Sequence, residues 1–244
     1  MSDVTVAPAV DVAGNLARVR ADVDAACAVA GRDPSEVRLL PVSKTHPVAV
    51  LEAAYAAGVR LFGENRVQEA AEKSEALSSG AERPDLRWAM IGHLQTNKAR
   101  QVAGFADEFH ALDSLKVARA LHTALHDLDR TLDVFVQVNS SAEPQKFGVA
   151  PEDLLALVEA LADLPTLRVR GLMTVAVQRG VDGAGDREVA ACFARMVELR
   201  DAVPEHLCGR ELSMGMSGDL ALAIAHGATT VRVGQAIFGA REPR

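Results

Sequence analysis

The first regular pattern along the chain is a series of apolar residues spaced three and four positions apart. This spacing predicts an amphipathic helix that ends at Gly31 and Pro34, because a glycine and a nearby proline terminate a helix. The apolar face consists of Val12, Leu16, Val19, Val23, Cys27 and Ala30. From residue 37 onwards the pattern changes, and short apolar runs alternate with helical stretches.

Eight of the short apolar runs have the length and composition of buried strands. They cover residues 37–43, 60–63, 87–92, 108–113, 133–139, 167–175, 210–215 and 229–234. Helical patterns follow the first seven, at about residues 47–57, 64–79, 95–104, 114–130, 151–163, 186–202 and 218–226. Strands that alternate with helices pair in parallel, and eight repeats favour closure into a barrel.

The alternation therefore predicts the α/β class and a single (β/α)8 TIM-type barrel with an extra N-terminal helix. We assign residues 1–244 to one domain and expect residues 1–8 to be disordered. A single domain is compatible with the length, since α/β barrels of about 200 to 250 residues are common. An open doubly wound sheet shows the same alternation and is the alternative fold.

The charge and the distribution of apolar residues exclude several classes of function. The chain has 244 residues and a net charge of −7, whereas a nucleic-acid-binding protein needs a basic face. No run approaches the roughly 18 apolar residues of a membrane span, and the N-terminus lacks the pattern of a signal peptide. Three widely spaced cysteines fit a reducing compartment. We therefore expect a cytoplasmic protein with neither a nucleic-acid nor a membrane partner.

Polar residues recur where the predicted strands end. The first strand, within "LLPVSKTHP", stops at Lys44, and Pro47 blocks its continuation. In barrels of this type the active site lies at the carboxyl ends of the strands. We therefore expect Lys44 to reach a functional site, although a surface lysine at a strand end is the simpler alternative.

The ends of the seventh and eighth strands contain small and polar residues typical of a phosphate site. "SMGMSGD" places Ser213 and Gly215 in a tight loop and predicts Ser217 as the N-cap of a helix. "VRVGQ" places Gly234 and Gln235 just past a strand. Barrels commonly bind phosphate through these two loops and a helix N-terminus, where free N–H groups and the helix dipole attract the anion. Ordinary turn residues beside a good cap are the alternative.

A lysine facing a phosphate site suits a phosphorylated aldehyde, because a deprotonated amine attacks a carbonyl to form a Schiff base. Burial or a nearby cation must favour the loss of the lysine proton, and Arg232 is a candidate for that cation. Arg232 lies between Val231 and Val233 and points to the opposite side of the strand from both. Inside the barrel it would need a polar partner such as a pyridine nitrogen. On the outer face it would pair with a helix carboxylate.

Seven motifs together resemble the pyridoxal phosphate homeostasis protein family, which is itself similar to the barrel domain of bacterial alanine racemases. The motifs are "PVSKTHP", "FGENRVQE", "WAMIGHLQTNKAR", "KFG", "GLMTV", "LSMGMSGD" and "VRVGQAIFG". They cover the chain from about residue 12 to residue 240 in the order and spacing of the family.

The resemblance implies that Lys44 holds pyridoxal 5'-phosphate (PLP) as an internal aldimine and that Arg232 faces the pyridine nitrogen. It also implies that four residues surround the phosphate, namely Ser213, Ser217, Gly234 and Gln235. Asn65 and His93 fall on motif positions that line the pocket, and Met214 is expected near the ring. Gln235 stands where the family often has Thr or Ser, so we expect its backbone N–H to contact the phosphate. Arg66 replaces a frequent Tyr.

The function implied by the resemblance is PLP homeostasis, meaning that a cytoplasmic monomer buffers PLP or delivers it to apo PLP-dependent enzymes. We expect no efficient catalysis, since an arginine at the pyridine nitrogen keeps it unprotonated and makes the ring a poorer electron sink. A PLP-dependent amino-acid racemase that uses Lys44 as an acid and base is the first alternative. A Schiff-base aldolase acting on a phosphorylated sugar is the second.

Racemisation needs a second acid or base on the opposite face of the substrate. In the alanine racemases a tyrosine from a second domain acts as this second acid or base, and we expect no such domain here. The single tyrosine, Tyr55, is predicted at the far end of a helix, which leaves His93 as the candidate.

A metal site is not expected, because His122 and His126 in "HTALH" lack the glutamate of HExxH. His110 is assigned no role.

Overall fold

A computed structural model of the protein describes residues 10–78, 83–141, 143, 145–181 and 184–240. Residues 1–8, for which disorder is predicted, lie outside the described residues. The strands are β1 Arg38–Pro41, β2 Leu61–Glu64, β3 Arg87–Met90, β4 Glu108–Leu112, β5 Leu132–Gln137, β6 Leu167–Met173, β7 Glu211–Met216 and β8 Thr230–Val233. The helices are α1 Val12–Ala30, α2 Val48–Ala56, α3 Val67–Ser78, α4 Ala99–Phe105, α5 Leu115–Asp127, α6 Leu154–Leu161, α7 Asp186–Ala202, α8 Leu220–Ala225 and α9 Gln235–Phe238.

All eight predicted strands are present and pair in parallel in the order β1-β8-β7-β6-β5-β4-β3-β2. The sheet closes between its two end strands. Val42, the residue just after β1, forms a parallel bridge with Gly63 in β2. The Ser43 N–H adds a hydrogen bond to the Gly63 carbonyl at 3.0 Å. The barrel prediction is therefore confirmed, and the open doubly wound alternative is wrong.

The predicted N-terminal helix is also present, and it fills a gap in the outer ring of helices. The helix after β8 has only four residues, which is too short to give a helical period in the sequence. α1 packs against α8 and α9 on one side and α2 on the other. Val12, Leu16 and Val19 on α1 are buried with residues of α2, β2 and β8. Burial of this apolar face explains why the chain begins with a helix outside the eight repeats.

The loop after β7 differs from its prediction. α8 begins at Leu220 with Asp219 as its N-cap, so the prediction that Ser217 caps this helix is wrong. The Asp219 carboxylate accepts the N–H of Met216 at 2.5 Å, and this contact stabilises a turn that delays the helix.

The remaining predictions from composition concern cysteines and membrane spans. Cys27, Cys192 and Cys208 are buried free thiols. Among the described residues, no helix has both the length and the apolar character needed to cross a membrane.

Candidate functional site

Lys44 lies at the carboxyl end of β1, in a turn held by buried polar contacts. Ser43 is completely buried, and its hydroxyl donates to Glu64 Oε1 at 2.7 Å. Thr45 has a φ of 68°, which few residues other than glycine adopt. The Glu69 carboxylate accepts the Thr45 N–H and stabilises this conformation. The turn therefore presents the half-buried Lys44 side chain from a fixed backbone.

A second lysine, Lys73 on α3, lies beneath this turn. Its ammonium group donates to the Ser43 carbonyl at 2.8 Å and to Glu64 and Glu69 at 2.7 Å each. These contacts use all three of its N–H groups. Burial raises the pKa of Glu64, and the attraction of Lys73 only partly offsets this effect. Burial also acts to raise the pKa of Glu69, but the hydrogen bonds from Lys73 and Thr45 outweigh burial and lower it.

Arg232 on β8 points into the barrel, so the alternative of an outer-face arginine is wrong. It is 5% exposed, and Nη1 donates to the Ser213 carbonyl at 2.7 Å and to the Ser213 hydroxyl at 2.9 Å. Nη2 donates to the Thr174 carbonyl at 2.8 Å. Burial lowers the pKa of Arg232 to about 10, so the guanidinium stays charged at neutral pH. Within the described residues no carboxylate pairs with it, and two of its five N–H groups remain for a ligand.

The loops after β7 and β8 contain glycines that their backbone paths require. Gly215 has a φ of 92°, and an added Cβ would lie 2.5 Å from the Ala223 side chain. At Gly234 an added Cβ would lie 3.0 Å from the Val42 carbonyl oxygen, so a larger residue would push β8 away from the β1 end. Both glycines thus permit close approach of the segments around the carboxyl ends of β1, β7 and β8.

Four backbone N–H groups in these loops have no acceptor within the described part of the chain. They belong to Ser217, Gly218, Gln235 and Ala236. Arg179 Nη1 donates to the Gly218 carbonyl at 2.7 Å, which stabilises the β7 loop from the neighbouring segment. Donors of this kind beside short helices bind anions, so the two loops could hold a phosphate group.

Ser213 has a different environment from the one expected for a phosphate ligand. It is completely buried in the barrel, and its hydroxyl lies 2.9 Å from both Arg232 Nη1 and His110 Nδ1. Met214 is next on the strand, is fully buried in the core, and by strand alternation faces the opposite side. Ser217 and Gln235 contribute two of the four free N–H groups of the loops, whereas Ser213 and Met214 contribute none. Their roles around the cofactor stay predictions.

Asn65 and His93 follow β2 and β3 on the same end of the barrel. Asn65 is half-buried. His93 is exposed, with Nδ1 3.1 Å from Asp113 Oδ2 and its ring stacked on Phe147 at 4.2 Å between centroids. The stacking of an exposed Phe147 on His93 was not predicted, because the two residues lie 54 positions apart. Among the described residues, no group of three or more His, Cys, Asp or Glu side chains could hold a metal.

Comparisons with known proteins agree over almost the whole chain. Residues 14–242 match the family model described as alanine racemase, N-terminal domain. The pyridoxal phosphate homeostasis protein of Pseudomonas aeruginosa is 45% identical over 232 residues, which cover 95% of this chain and 96% of that protein. Its counterpart in Escherichia coli K12 is 41% identical over 237 residues, with coverage of 95% and 97%. The chain belongs to the pyridoxal phosphate homeostasis protein family. The predicted resemblance is confirmed.

Solved structures give the same result for the family. The structure of PipY from Synechococcus elongatus, described as having PLP bound, is 40% identical with a TM-score of 0.78 and covers 94% of this chain and 100% of that chain. An alanine racemase of Clostridium difficile has a TM-score of 0.70 at 16% identity, and the match covers 95% of this chain and 58% of the racemase. At that identity the racemase shares only the fold with this member of the pyridoxal phosphate homeostasis protein family.

Proposed function

We propose that this protein binds PLP at the carboxyl end of the barrel and serves PLP homeostasis in the cytoplasm, by buffering the cofactor or delivering it to apo enzymes. The observation that carries the proposal is Arg232. It is a buried cation held by neutral oxygens, with two N–H groups left over. A pyridine nitrogen is a neutral acceptor that can use such a donor without losing a competition to a carboxylate.

The residues at the strand ends fit the other parts of PLP. The free N–H groups after β7 and β8 suit its phosphate, and the exposed Ser217 hydroxyl adds a donor beside them. Gln235 is exposed, so its backbone N–H, rather than its side chain, is the expected contact. Bound PLP supplies an aldehyde that condenses with a lysine amine. Lys44 is the lysine that the turn after β1 presents at this end of the barrel.

Lys73 is close to Lys44 in space but is not suited to the same role. Its three N–H groups are all donated, two of them to carboxylates. An amine attacks a carbonyl through its nitrogen lone pair, and the buried Lys73 nitrogen is enclosed by Ser43, Glu64 and Glu69. We therefore assign Lys44 as the attachment site and Lys73 as a structural cation.

Efficient racemisation is not part of the proposal. The hydroxyl of Tyr55, the single tyrosine, donates to Asp85 at 2.5 Å, and Arg60 lies over its ring at 4.1 Å. Asp85 precedes β3, so Tyr55 lies at the amino end of the barrel, away from Lys44. His93 is then the candidate for a second acid or base, and it already contacts Asp113 and Phe147. Losing a positioned acid or base costs about 10²- to 10⁴-fold in rate.

The test of binding is a titration of apoprotein with PLP, followed by gel filtration and an absorption spectrum. We expect a yellow protein with one PLP per chain and weaker binding in excess inorganic phosphate. Lys44→Ala should lose the band of the covalent form and retain part of the affinity, since the phosphate loops are intact. A colourless wild-type protein that retains no PLP would overturn the proposal and favour the aldolase alternative.

The absence of catalysis is tested separately by α-hydrogen exchange of alanine and serine in D₂O with the PLP-loaded protein. We expect exchange far below ordinary enzyme rates of about 10 per second. Exchange at such a rate, abolished equally by Lys44→Ala and His93→Ala, would establish the racemase alternative.

A further inference from the structure

A chain of hydrogen bonds crosses the interior of the barrel from β1 to the arginine of the proposed site. Arg38 at the start of β1 donates to both oxygens of Glu108 on β4, at 2.5 and 2.9 Å. Glu108 Oε2 lies 2.7 Å from His110 Nε2. His110 Nδ1 lies 2.9 Å from the Ser213 hydroxyl, which Arg232 Nη1 approaches at the same distance. Four strands thus contribute one continuous polar path.

The centre of this path is sealed from water. His110 and Ser213 have no exposed surface, and the His110 ring packs on Phe135 at 4.1 Å between centroids. The charged groups that face His110 within the described residues are Glu108 on its own strand, Arg38 and Arg232. Burial lowers the pKa of His110 and outweighs the attraction of Glu108, so the ring is neutral at pH 7. Burial also acts to raise the pKa of Glu108, but hydrogen bonds from His110 and Arg38 lower it to about 2.

The identities of the groups determine the direction of every hydrogen bond in the path. An ionised carboxylate only accepts, so the neutral ring carries its proton on Nε2 and donates it to Glu108. His110 Nδ1 is then an acceptor, and the Ser213 hydroxyl donates to it. An arginine only donates, so the Ser213 oxygen accepts from Arg232. With a neutral His110 ring, no other arrangement satisfies Glu108, His110 and Arg232 together.

We propose that His110 is a positioning residue for Arg232, the arginine that faces the pyridine nitrogen in the proposed function. With its proton on Nε2, it orients the Ser213 hydroxyl so that the lone pairs of that oxygen face Arg232. The Ser213 hydroxyl, the Ser213 carbonyl and the Thr174 carbonyl then fix the plane of the guanidinium and leave its remaining N–H groups for the ligand. Only the last step, contact with the pyridine nitrogen, rests on the proposed function.

The first experiment needs no cofactor. In the full-length apoprotein labelled with ¹⁵N-histidine, the His110 signals are assigned by their loss in His110→Asn. We expect a neutral ring protonated on Nε2 at pH 7 and above. A ring protonated on Nδ1, or an imidazolium at pH 7, would overturn the proposal. This result stands whether or not the protein binds PLP.

The second experiment compares variants loaded with PLP. His110→Phe keeps the ring that packs on Phe135 and removes both nitrogens, while His110→Asn keeps an acceptor near the position of Nδ1. We expect His110→Phe to weaken PLP affinity about tenfold and to shift the absorption band of the bound cofactor, with His110→Asn closer to the wild type. His122→Asn is the matched control, because His122 contacts Thr166 on the outside of the barrel.

Two results of the second experiment would contradict the proposal. One is a folded His110→Phe protein with the wild-type band and affinity, and the other is a His110→Asn protein as impaired as His110→Phe. If His110→Phe does not fold, Ser213→Ala replaces it, because this change removes only the hydroxyl that links His110 to Arg232. A shifted band in Ser213→Ala supports the proposal, and a wild-type band overturns it. If wild-type protein fails to bind PLP, the proposed function is wrong. The tautomer measurement alone then tests whether His110 orients the Ser213 hydroxyl towards Arg232.

Discussion

Two buried cations near the carboxyl end of the barrel differ in what surrounds them. Lys73 lies between Glu64 and Glu69 and donates every one of its N–H groups to protein acceptors. Arg232 is equally buried, but its three contacts are neutral oxygens of Ser213 and Thr174. The first cation is neutralised within the protein, whereas the second keeps both its charge and spare donors.

The difference separates a structural cation from a ligand-binding one. A buried charge needs a partner, and removal of that partner destabilises the fold. Lys73 has its partners in the folded chain, so its contribution is to stability and to the turn that carries Lys44. Arg232 is held in place by polar contacts, and no carboxylate of the described residues forms an ion pair with it, so its contribution is expected in the affinity for a ligand.

The largest expected effect is on stability at Lys73. Lys73→Met leaves the completely buried Glu64 without its cation, and losing one member of a buried pair costs about 3–5 kcal/mol. Urea denaturation of the apoprotein measures this cost. The control is the double variant Glu64→Gln with Lys73→Met, which removes both charges and should recover part of the loss. A single variant as stable as the wild type would remove the distinction between the two cations.

The second prediction is that the two regions respond to pH in opposite directions. Glu108, at the far end of the path to Arg232, has a pKa lowered to about 2 by hydrogen bonds that outweigh burial. It stabilises the fold above the unfolded pKa of about 4.5, and this contribution is lost as the pH falls towards 2. The shift corresponds to up to about 3 kcal/mol. Glu64, with a raised pKa, instead loses stabilisation as the pH rises above its unfolded value.

The measurement is the difference in unfolding free energy between wild type and variant as a function of pH. For Glu108→Gln the difference should grow from pH 2 to about pH 5 and then level off. For Glu64→Gln it should decline over the range above about pH 4.5. The same sign of slope for both variants would contradict the assigned environments.

The third prediction is that replacing Arg232 mainly lowers PLP affinity, whereas replacing Lys73 mainly lowers stability. Arg232→Met removes three hydrogen bonds to neutral oxygens but also relieves the burial of a charge, and because these two effects oppose each other we expect a smaller loss of stability in the apoprotein than for Lys73→Met. Hydrogen bonds to charged groups contribute about 1.5–3 kcal/mol, so PLP affinity should fall about tenfold to a hundredfold. Titration and denaturation of one preparation measure both. A stability loss equal to that of Lys73→Met, with unchanged affinity, would contradict the comparison.

The smallest effects are expected in the phosphate loops. Gly234→Val should weaken PLP binding because its Cβ would crowd the Val42 carbonyl oxygen. Ser217→Ala removes one hydroxyl donor and should weaken binding by roughly tenfold or less. Gln235→Ala keeps the backbone N–H and should have the weakest effect. If Gln235→Ala proves the most damaging of the three, the side chain at position 235 binds the phosphate directly.

Much of the barrel could be predicted from sequence because strands buried on both faces are continuous apolar runs. The fifth run, predicted at 133–139, is β5 Leu132–Gln137. The alternation around Arg232 left both faces of the strand open, and the structure places its side chain inside the barrel. The predicted Ser217 cap fails because a side-chain contact of Asp219 inserts a turn before the helix. Such a contact has no periodicity in the sequence.

The polar interior could not be predicted for the same reason. Glu69 and Lys73 lie four residues apart on a helix, which is the usual pattern of an exposed ion pair, yet Lys73 is buried. His110 lies in a strand between apolar residues, and its partner Ser213 is 103 positions away. Only the closure of the barrel brings these groups together, so the sequence pattern does not indicate which residues contact each other.

The most direct test of the assignment of Lys44, and not Lys73, as the attachment site is to locate the attached cofactor. The PLP-loaded protein is reduced with borohydride and digested, and the modified peptide is identified by mass spectrometry. Because Lys73 is buried and bonded to Glu64 and Glu69, we predict a single modified residue, Lys44, and no modification in Lys44→Ala. Modification of Lys73 in the wild-type protein would contradict the account.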